Sequence, residues 1–317
     1  MAKYKQEKQT EEKTKRYIFT AIFLVVLLAT NTGAYFFGSS MKDEIASSKF
    51  SLLNPARAFI KQKDLIVNFQ PLRDYLNDKY EADQNVSIYF EYLPTGASIA
   101  INKDAEFYPA SLLKVPVAMA VAKKVERGDW KWTNELVLMP TDKDDKFGTL
   151  YKKPSNSTFT IEELVRRSLT DSDNTAHFIL VRNLELEEIK DVYDHMGLKG
   201  FLETEGSLSA KRYSVMIRAL HSASYISEEN SQKLLSHLTG SPFKDYIQSG
   251  LPQDVPFAHK IGVDEDKKVN LDSGIVYEKD RPYILTVMIK DETEQKAKET
   301  IKDISEKVYN YVKEYEV

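Results

Sequence analysis

Tyr108-Pro-Ala-Ser-Leu-Leu-Lys-Val-Pro-Val-Ala-Met-Ala120 is the stretch on which the reading of this chain turns. It carries one hydroxyl able to act as a nucleophile, Ser111, and an amine, Lys114, three residues on. An apolar run follows through Ala122. If that run is helical, Ser111 sits at its mouth and Lys114 lies about one turn along the same face. Unpaired N–H groups and partial positive charge at a helix start favour a developing alkoxide. A neutral lysine beside a serine can take its proton, which is the logic of a nucleophile paired with its base. The spacing alone is common: Ser39-Ser-Met-Lys42 and Ser241-Pro-Phe-Lys244 repeat it. What separates the Ser111 copy is its place at the head of an apolar helix, and partner motifs must supply the rest.

Composition narrows the class. The chain has 317 residues, 42% apolar and 29% charged, an ordinary globular mix for one large or two small domains. A net charge of −4 argues against a nucleic-acid partner. With no cysteine there is no disulfide, thiolate metal site or cysteine nucleophile, a composition that suits an exported protein folding without oxidation. The five histidines, at 177, 195, 221, 237 and 259, form no His-x-x-x-His pair, so neither zinc nor any other cofactor is expected. No Gly-x-Ser-x-Gly occurs, which argues against a Ser-His-Asp hydrolase of that type.

Residues 1–16 hold six Lys/Arg and three Glu, and Tyr17–Gly38 then runs 22 residues without a charge. At about 1.5 Å per residue a helix of that length crosses a bilayer. The basic flank predicts a cytoplasmic N-terminal tail and a single-pass cell-membrane protein whose bulk lies outside the cytoplasm. The rival is a cleaved signal peptide; Gly33-Ala34 followed by Tyr35-Phe-Phe is a poor cleavage context. Residues 39–61 read as a juxtamembrane spacer, and 62–317 as the extracytoplasmic domain.

Along that domain, Asp64–Tyr80 has helical spacing. Val86–Leu93 and Ala97–Ile101 flank Pro94-Thr-Gly96 as a hairpin. Residues 130–160 are polar and turn-rich. Thr160 with Glu163 predicts a capping box, a helix over 162–169 and a second helix over 176–183. Ser172-Asp173-Asn174 then falls on the tight connection between them, where such residues are also ordinary turn chemistry. Leu186–His195 and Ala210–Leu220 read as further amphipathic helices. The short link Met196–Ser209 between them contains Glu203 and Glu205. Strands are expected at 257–263, 273–277 and 283–289. A closing helix carries Ala297, Ile301, Ile304, Val308 and Val312 on one stripe, which should cover a sheet.

Three motifs therefore occur in order: Ser111-Leu-Leu-Lys114, Ser172-Asp-Asn174 and Lys260-Ile-Gly262. Over residues 62–317 the chain resembles the penicillin-recognising serine enzymes, the class A β-lactamases and related D,D-peptidases. It is most similar to the class A-like branch, which includes Tyr-Pro-Ala before Ser111 and Ala-His before Lys260. The resemblance implies an α/β plus all-α fold, an antiparallel five-stranded sheet with covering helices and a helical middle subdomain. It implies that Ser111 is the acylated nucleophile, Lys114 its base and Ser172 the proton relay to the leaving nitrogen. It further implies that Asn174 holds the substrate amide, and that Lys260, with Ile261, Gly262 and Val263, borders the substrate. Lys260 would attract a carboxylate. The N–H groups of Ser111 and Val263 would form the oxyanion hole. Burial and the charge of Lys260 would push Lys114 toward neutrality, and Asp173 would be a structural cap.

Two departures stand out. Where the family has Thr or Ser, Ile261 has no hydroxyl to offer a substrate carboxylate. Class A enzymes also carry a long loop whose Glu positions the deacylating water, and here the link is short. Glu203 and Glu205 are its only candidates for that base, and both lack the expected following Asn. The expectation is thus a penicillin-binding serine acyl-enzyme of the cell envelope with slow deacylation. Its substrate or mimic would be a peptidoglycan-type peptide or a β-lactam. A true β-lactamase and a non-catalytic envelope protein on the same fold are the alternatives.

Overall fold

A helix opens where Pro71 presets the backbone angle of its first turn: α1, Gln70–Tyr80, buries Leu72, Leu76 and Tyr80 at four-residue intervals. It starts six residues later than the spacing predicts. The computed structural model describes residues 50–53, 65–203 and 206–315. Leu52–Val317 forms the unit that carries the fold. The 17–38 span, the basic tail before it and all of the spacer except residues 50–53 lie outside the described residues. Among the described residues no helix is long and apolar enough to cross a membrane.

The expected hairpin forms from β1, Val86–Tyr92, and β2, Ala97–Ile101. Gly96 takes φ +76° at the turn and donates to Tyr92 O at 2.8 Å. A helix α2, Lys114–Glu126, follows. A small ladder of β3, Glu135–Val137, and β4, Thr158–Thr160, then leads into helices α3, Ile161–Thr170, α4, Asn174–Arg182, and α5, Leu186–His195. Next come α6, Ala210–His221, and α7, Glu228–Thr239. Three strands and a helix close the chain: β5, Phe257–Asp264; β6, Val269–Val276; β7, Tyr283–Lys290; and α8, Glu294–Glu314. The five-stranded sheet runs β2-β1-β7-β6-β5, every pair antiparallel. The sheet is therefore closed by pairing an early strand, β1, with the last one, β7.

Alternation splits the sheet into two faces. Ile88 and Phe90, Leu285 and Val287, and Phe257 and Ile261 pack with α1 and the α8 stripe Ala297, Ile301, Ile304, Val308 and Val312. Phe69, Phe90, Tyr92 and Tyr283 meet here with ring centroids 5.4–5.5 Å apart. On the other face lie the helices α2 to α7. Polar residues stitch α6 to it: Arg218 Nε donates to Glu91 Oε2 at 2.7 Å, and Ser214 Oγ lies 2.7 Å from Thr286 Oγ1. Because Ile261 points into the apolar face, its neighbours Lys260 and Gly262 point toward the helices.

Three elements differ from expectation, the first being β6, which begins at Val269, four residues before the expected strand at 273–277. The polar stretch 130–160 holds the β3–β4 ladder. Helix α7 has only three apolar anchors, Leu234, Leu235 and Leu238, and is started by Ser227 Oγ accepting from Asn230 N. Thr160 does cap α3, accepting from Glu163 N at 3.2 Å, but the Glu163 carboxylate takes Arg167 Nε at 2.9 Å.

Gly250 lies where α8 packs against the turn before β5: an added Cβ would stand 2.7 Å from Glu306 N and Lys302 O. Gly250→Ala must push α8 off the sheet and is expected to cost about 1–3 kcal/mol, the usual range for overpacking. A thermal melt of the purified domain should fall by several degrees (about 2–4 °C per kcal/mol at this size); an unchanged midpoint would show that the contact gives freely.

Candidate active site

The expected helix does not include Ser111. Residues Ala110–Leu113 form a 3₁₀ turn, and the α-helix begins at Lys114. The turn is entered through Ala110 at φ +45°, a left-handed backbone that costs a residue with a Cβ about 1–3 kcal/mol. Gly262 on β5 admits the turn: a Cβ there would be 2.8 Å from Pro109 O. Tyr213 Oη on α6 donates to Leu112 O at 3.0 Å and pins the turn from behind.

Ser172 is, after Ala110, another residue of the site held in the left-handed region, at φ +56°. The connection between α3 and α4 keeps it there. Asp173 caps α4 by accepting from Ala176 N at 3.0 Å, and its other oxygen accepts from Thr149 N and Leu150 N at 2.8 and 2.9 Å. One buried carboxylate thus ties the Ser-Asp-Asn turn to the loop at 144–150. Gly148 makes room for it: at φ +87°, a Cβ would lie 2.2 Å from the Asp173 carboxyl carbon.

These anchors bring the three motifs together. Lys114 Nζ donates to Ser111 Oγ at 2.6 Å and to Asn174 Oδ1 at 2.6 Å, and it lies 3.5 Å from Ser172 Oγ. From β5, Lys260 Nζ donates to Ser172 Oγ at 2.8 Å and to Ile261 O at 3.2 Å. Ser172 is therefore a hydroxyl between two amines. Both are buried, Lys114 at 3% exposure and Lys260 at 1%. Burial lowers Lys114 to about 8, against the opposing pull of Asp173 and Asp144. Burial also drives Lys260 well below the usual lysine value, with the charge of Lys114 adding to the effect and Asp272 opposing it. The like-charge effect thus falls on Lys260, the reverse of what the sequence reading assigned to Lys114.

The cluster opens on a cavity of about 600 Å³ lined by Tyr108, Ser111, Lys114, Phe147, Asn174 and Val263, among others. Ile261 gives it no side chain. Its carbonyl holds Lys260, while its side chain, 3% exposed, stays in the apolar face. Glu203 ends a 3₁₀ turn, Phe201–Glu203, anchored by Phe201 stacking on Tyr193 at 4.4 Å. Beyond that backbone, Glu203 and all of Glu205 lie outside the described residues. Among the described residues, the carboxylates lining the cavity belong to Asp144, to Asp264 at the end of β5, and to Glu265 and Asp266 of the β5–β6 turn. No group of three or more His, Asp or Glu able to hold a metal occurs among the described residues.

Two lining residues were missed from sequence. Asp144 Oδ1 accepts from Asn174 Nδ2 at 2.8 Å. His177, one helical turn past Asn174, has a buried Nδ1 with no hydrogen-bond partner, and burial with the charges of Lys114 and Lys260 lowers it to about 3. Asp144 sits in a stretch whose polar composition reads only as loop. His177 carried a faint signal, its three-residue spacing from Asn174.

A serine, two lysines and a second serine on one side of an antiparallel sheet, with helices packed over them, define a penicillin-recognising serine enzyme. The sequence profile described as "Beta-lactamase enzyme family" matches residues 70–312, and the chain belongs to that family. The structure is similar to that of PBP-A, with TM-score 0.71 and 22% identity over 78% of this chain and 97% of that one. It is similar to a β-lactamase from Sphaerobacter thermophilus, with TM-score 0.69 and 22% identity over 78% and 99%. Among curated relatives, β-lactamase VEB-1 of Pseudomonas aeruginosa is 29% identical over 87 residues; the match spans 27% of this chain and 29% of that protein.

Asp173→Ala leaves three backbone donors without their acceptor, at a combined cost of about 2–5 kcal/mol. The domain should melt well below the wild type, and the 144–150 loop should become protease-sensitive. A wild-type melting temperature would show that the clamp is redundant.

Proposed function

We propose that the protein is a serine acyl-enzyme acting on peptidoglycan-type peptides, with β-lactams as mimics that it releases slowly. The observation that supports this most directly is the 2.6 Å contact between Ser111 Oγ and Lys114 Nζ. With Lys114 near 8, about one molecule in ten carries a neutral amine at pH 7. In that form Nζ takes the Ser111 proton as Oγ adds to the amide carbon. The N–H groups of Ser111 and Val263 receive the oxyanion. The amide C–N bond then breaks; Ser172, bonded to Lys260, hands a proton to the departing nitrogen and takes one from the Lys114 ammonium 3.5 Å away, which restores both groups. Lys260, behind the cavity wall that β5 supplies with Val263, is the cation toward which a substrate carboxylate is drawn. The structural relative solved as an acyl-enzyme complex with penicillin G is a mutant form of PBP-A; that complex supports β-lactam binding in this reading.

Slow release rests on the short link. A well-placed general base contributes about 10²–10⁴-fold, and among the described residues the lining carboxylates come from outside the link. Incubating the protein with benzylpenicillin should give a stable adduct on Ser111 by mass spectrometry, absent in Ser111→Ala. Its rate of formation should rise with pH and level off above about 8, as Lys114 loses its proton. Rapid multiple turnover would favour the second reading, a true β-lactamase, in keeping with the names of the relatives above. Collapse of that turnover in Glu203→Gln or Glu205→Gln would place its base in the link.

We further propose that residues 17–38 anchor the enzyme in the cell membrane with the domain outside, on the strength of their uncharged length and basic flank. External protease on intact cells is expected to cut after Lys42 and to spare residues 1–16. Protection of the region after Lys42 would overturn this topology.

A further inference from the structure

Lys114 works as a base only through one lone pair, and a neighbouring hydrogen-bond donor would occupy it. Asn174 is such a neighbour, and its amide has two ends. With Oδ1 toward Lys114, the amine donates and its lone pair stays open for Ser111. With the NH₂ turned inward, the amide would donate to that lone pair and block the transfer. Something must choose the end.

The chooser is on the loop after β3. Asp144 Oδ1 stands 2.8 Å from Asn174 Nδ2 and also takes Lys146 N at 3.0 Å. An ionised carboxylate accepts and cannot donate, so the NH₂ of Asn174 must face it and Oδ1 must face Lys114. Asp144 is fixed in turn by its backbone. Its N–H donates to Thr175 Oγ1 at 3.0 Å, and its carbonyl accepts from the same hydroxyl at 3.1 Å. The loop is tied down again where Asn174 N donates to Phe147 O at 3.1 Å. We propose that Asp144 is a positioning residue which keeps the lone pair of Lys114 open by holding Asn174 in one amide orientation. The inference rests on the acyl-enzyme reading, with Lys114 as the base of Ser111.

Asp144 has a second effect. The groups around Lys114 are Ser111 on its own segment, Asp144 from the loop, Ser172, Asp173, Asn174 and His177 from the α3–α4 turn and α4, and Lys260 from β5. Of these, Asp173 and Asp144 hold the amine's proton on, against burial. Removing the Asp144 charge therefore moves the Lys114 midpoint to lower pH. A loss of packing would leave that midpoint where it is.

The test uses the full-length protein in detergent, with benzylpenicillin as probe and acylation of Ser111 followed by mass between pH 5 and 10. Asp144→Asn is isosteric and leaves both backbone bonds to Thr175 in place. Its plateau rate is expected to drop about ten-fold, the scale of one misdirected hydrogen bond, and its midpoint to move below 8. In an Asn174→Ala background the same substitution should shift the midpoint without lowering the plateau further, because the residue it orients is gone. An unmoved midpoint, or full additivity of the two plateau losses, overturns the proposal. Should Asp144→Asn melt far below the wild type, Asp144→Glu takes its place. It retains the charge, so the midpoint should stay near 8, and a displaced midpoint there overturns the proposal as well. Absence of any Ser111 adduct in the wild type at every pH would instead overturn the acyl-enzyme reading.

Discussion

Two ammonium groups cannot both stay charged, out of water, on either side of one hydroxyl. Lys114 and Lys260 are in that position, at 3.5 and 2.8 Å from Ser172 Oγ. Burial weakens both, and the charge of one weakens the other. The fold offsets this with carboxylates set one layer back: Asp144 and Asp173 toward Lys114, and Asp272 toward Lys260. Asp272 is itself buried and held by His259 Nδ1 at 2.8 Å and Ile247 N at 3.1 Å. The arrangement brings the titration of the first lysine down to about 8 and leaves the second as the neighbour that must yield.

The backbone around the cluster follows from the same constraint. Three segments must approach within hydrogen-bond reach, so side chains are removed where they would collide. Gly262 lets Pro109 in, and Gly148 lets Asp173 in. Two residues with a Cβ, Ala110 and Ser172, accept left-handed backbone beside the reacting groups. Each is held by packing and hydrogen bonds around it, which is how local strain persists at a site.

Much of this architecture was legible in the chain. Apolar runs bounded by turn signals located the hairpin and the last three strands, of which β1, β6 and β7 are buried on both faces, and a period-3.6 stripe located the closing helix. Three short motifs in a fixed order marked Ser111, Lys114, Ser172, Asn174 and Lys260, whose side chains the fold brings together. What escaped lacked a periodic or compositional mark. Helix α7 buries only a few leucines, and β3–β4 are three residues each. The amide-orienting role of Asp144 depends on a contact 30 residues away in sequence, in a loop that reads as solvent-exposed. The direction of the Ile261 side chain could not be known until the register of β5 against β6 fixed which residues face the helices. The reversal of the lysine effect likewise needed distances rather than residue types.

The strand order has a consequence for synthesis. Lys260 lies on β5, which pairs only with β6; β6 pairs with β7, and β7 with β1. A growing chain therefore has Ser111, Lys114 and Ser172 in hand long before it can place Lys260, which must wait for β7 to reach Lys290 and zip onto a strand some two hundred residues older. Such distant pairings are slow to form. A nascent or truncated chain ending before β7 has the Ser111–Lys114 pair but lacks the β5 side of the cavity. The last part of the polypeptide to emerge is thus what completes the cluster of Ser111, Lys114, Ser172 and Lys260.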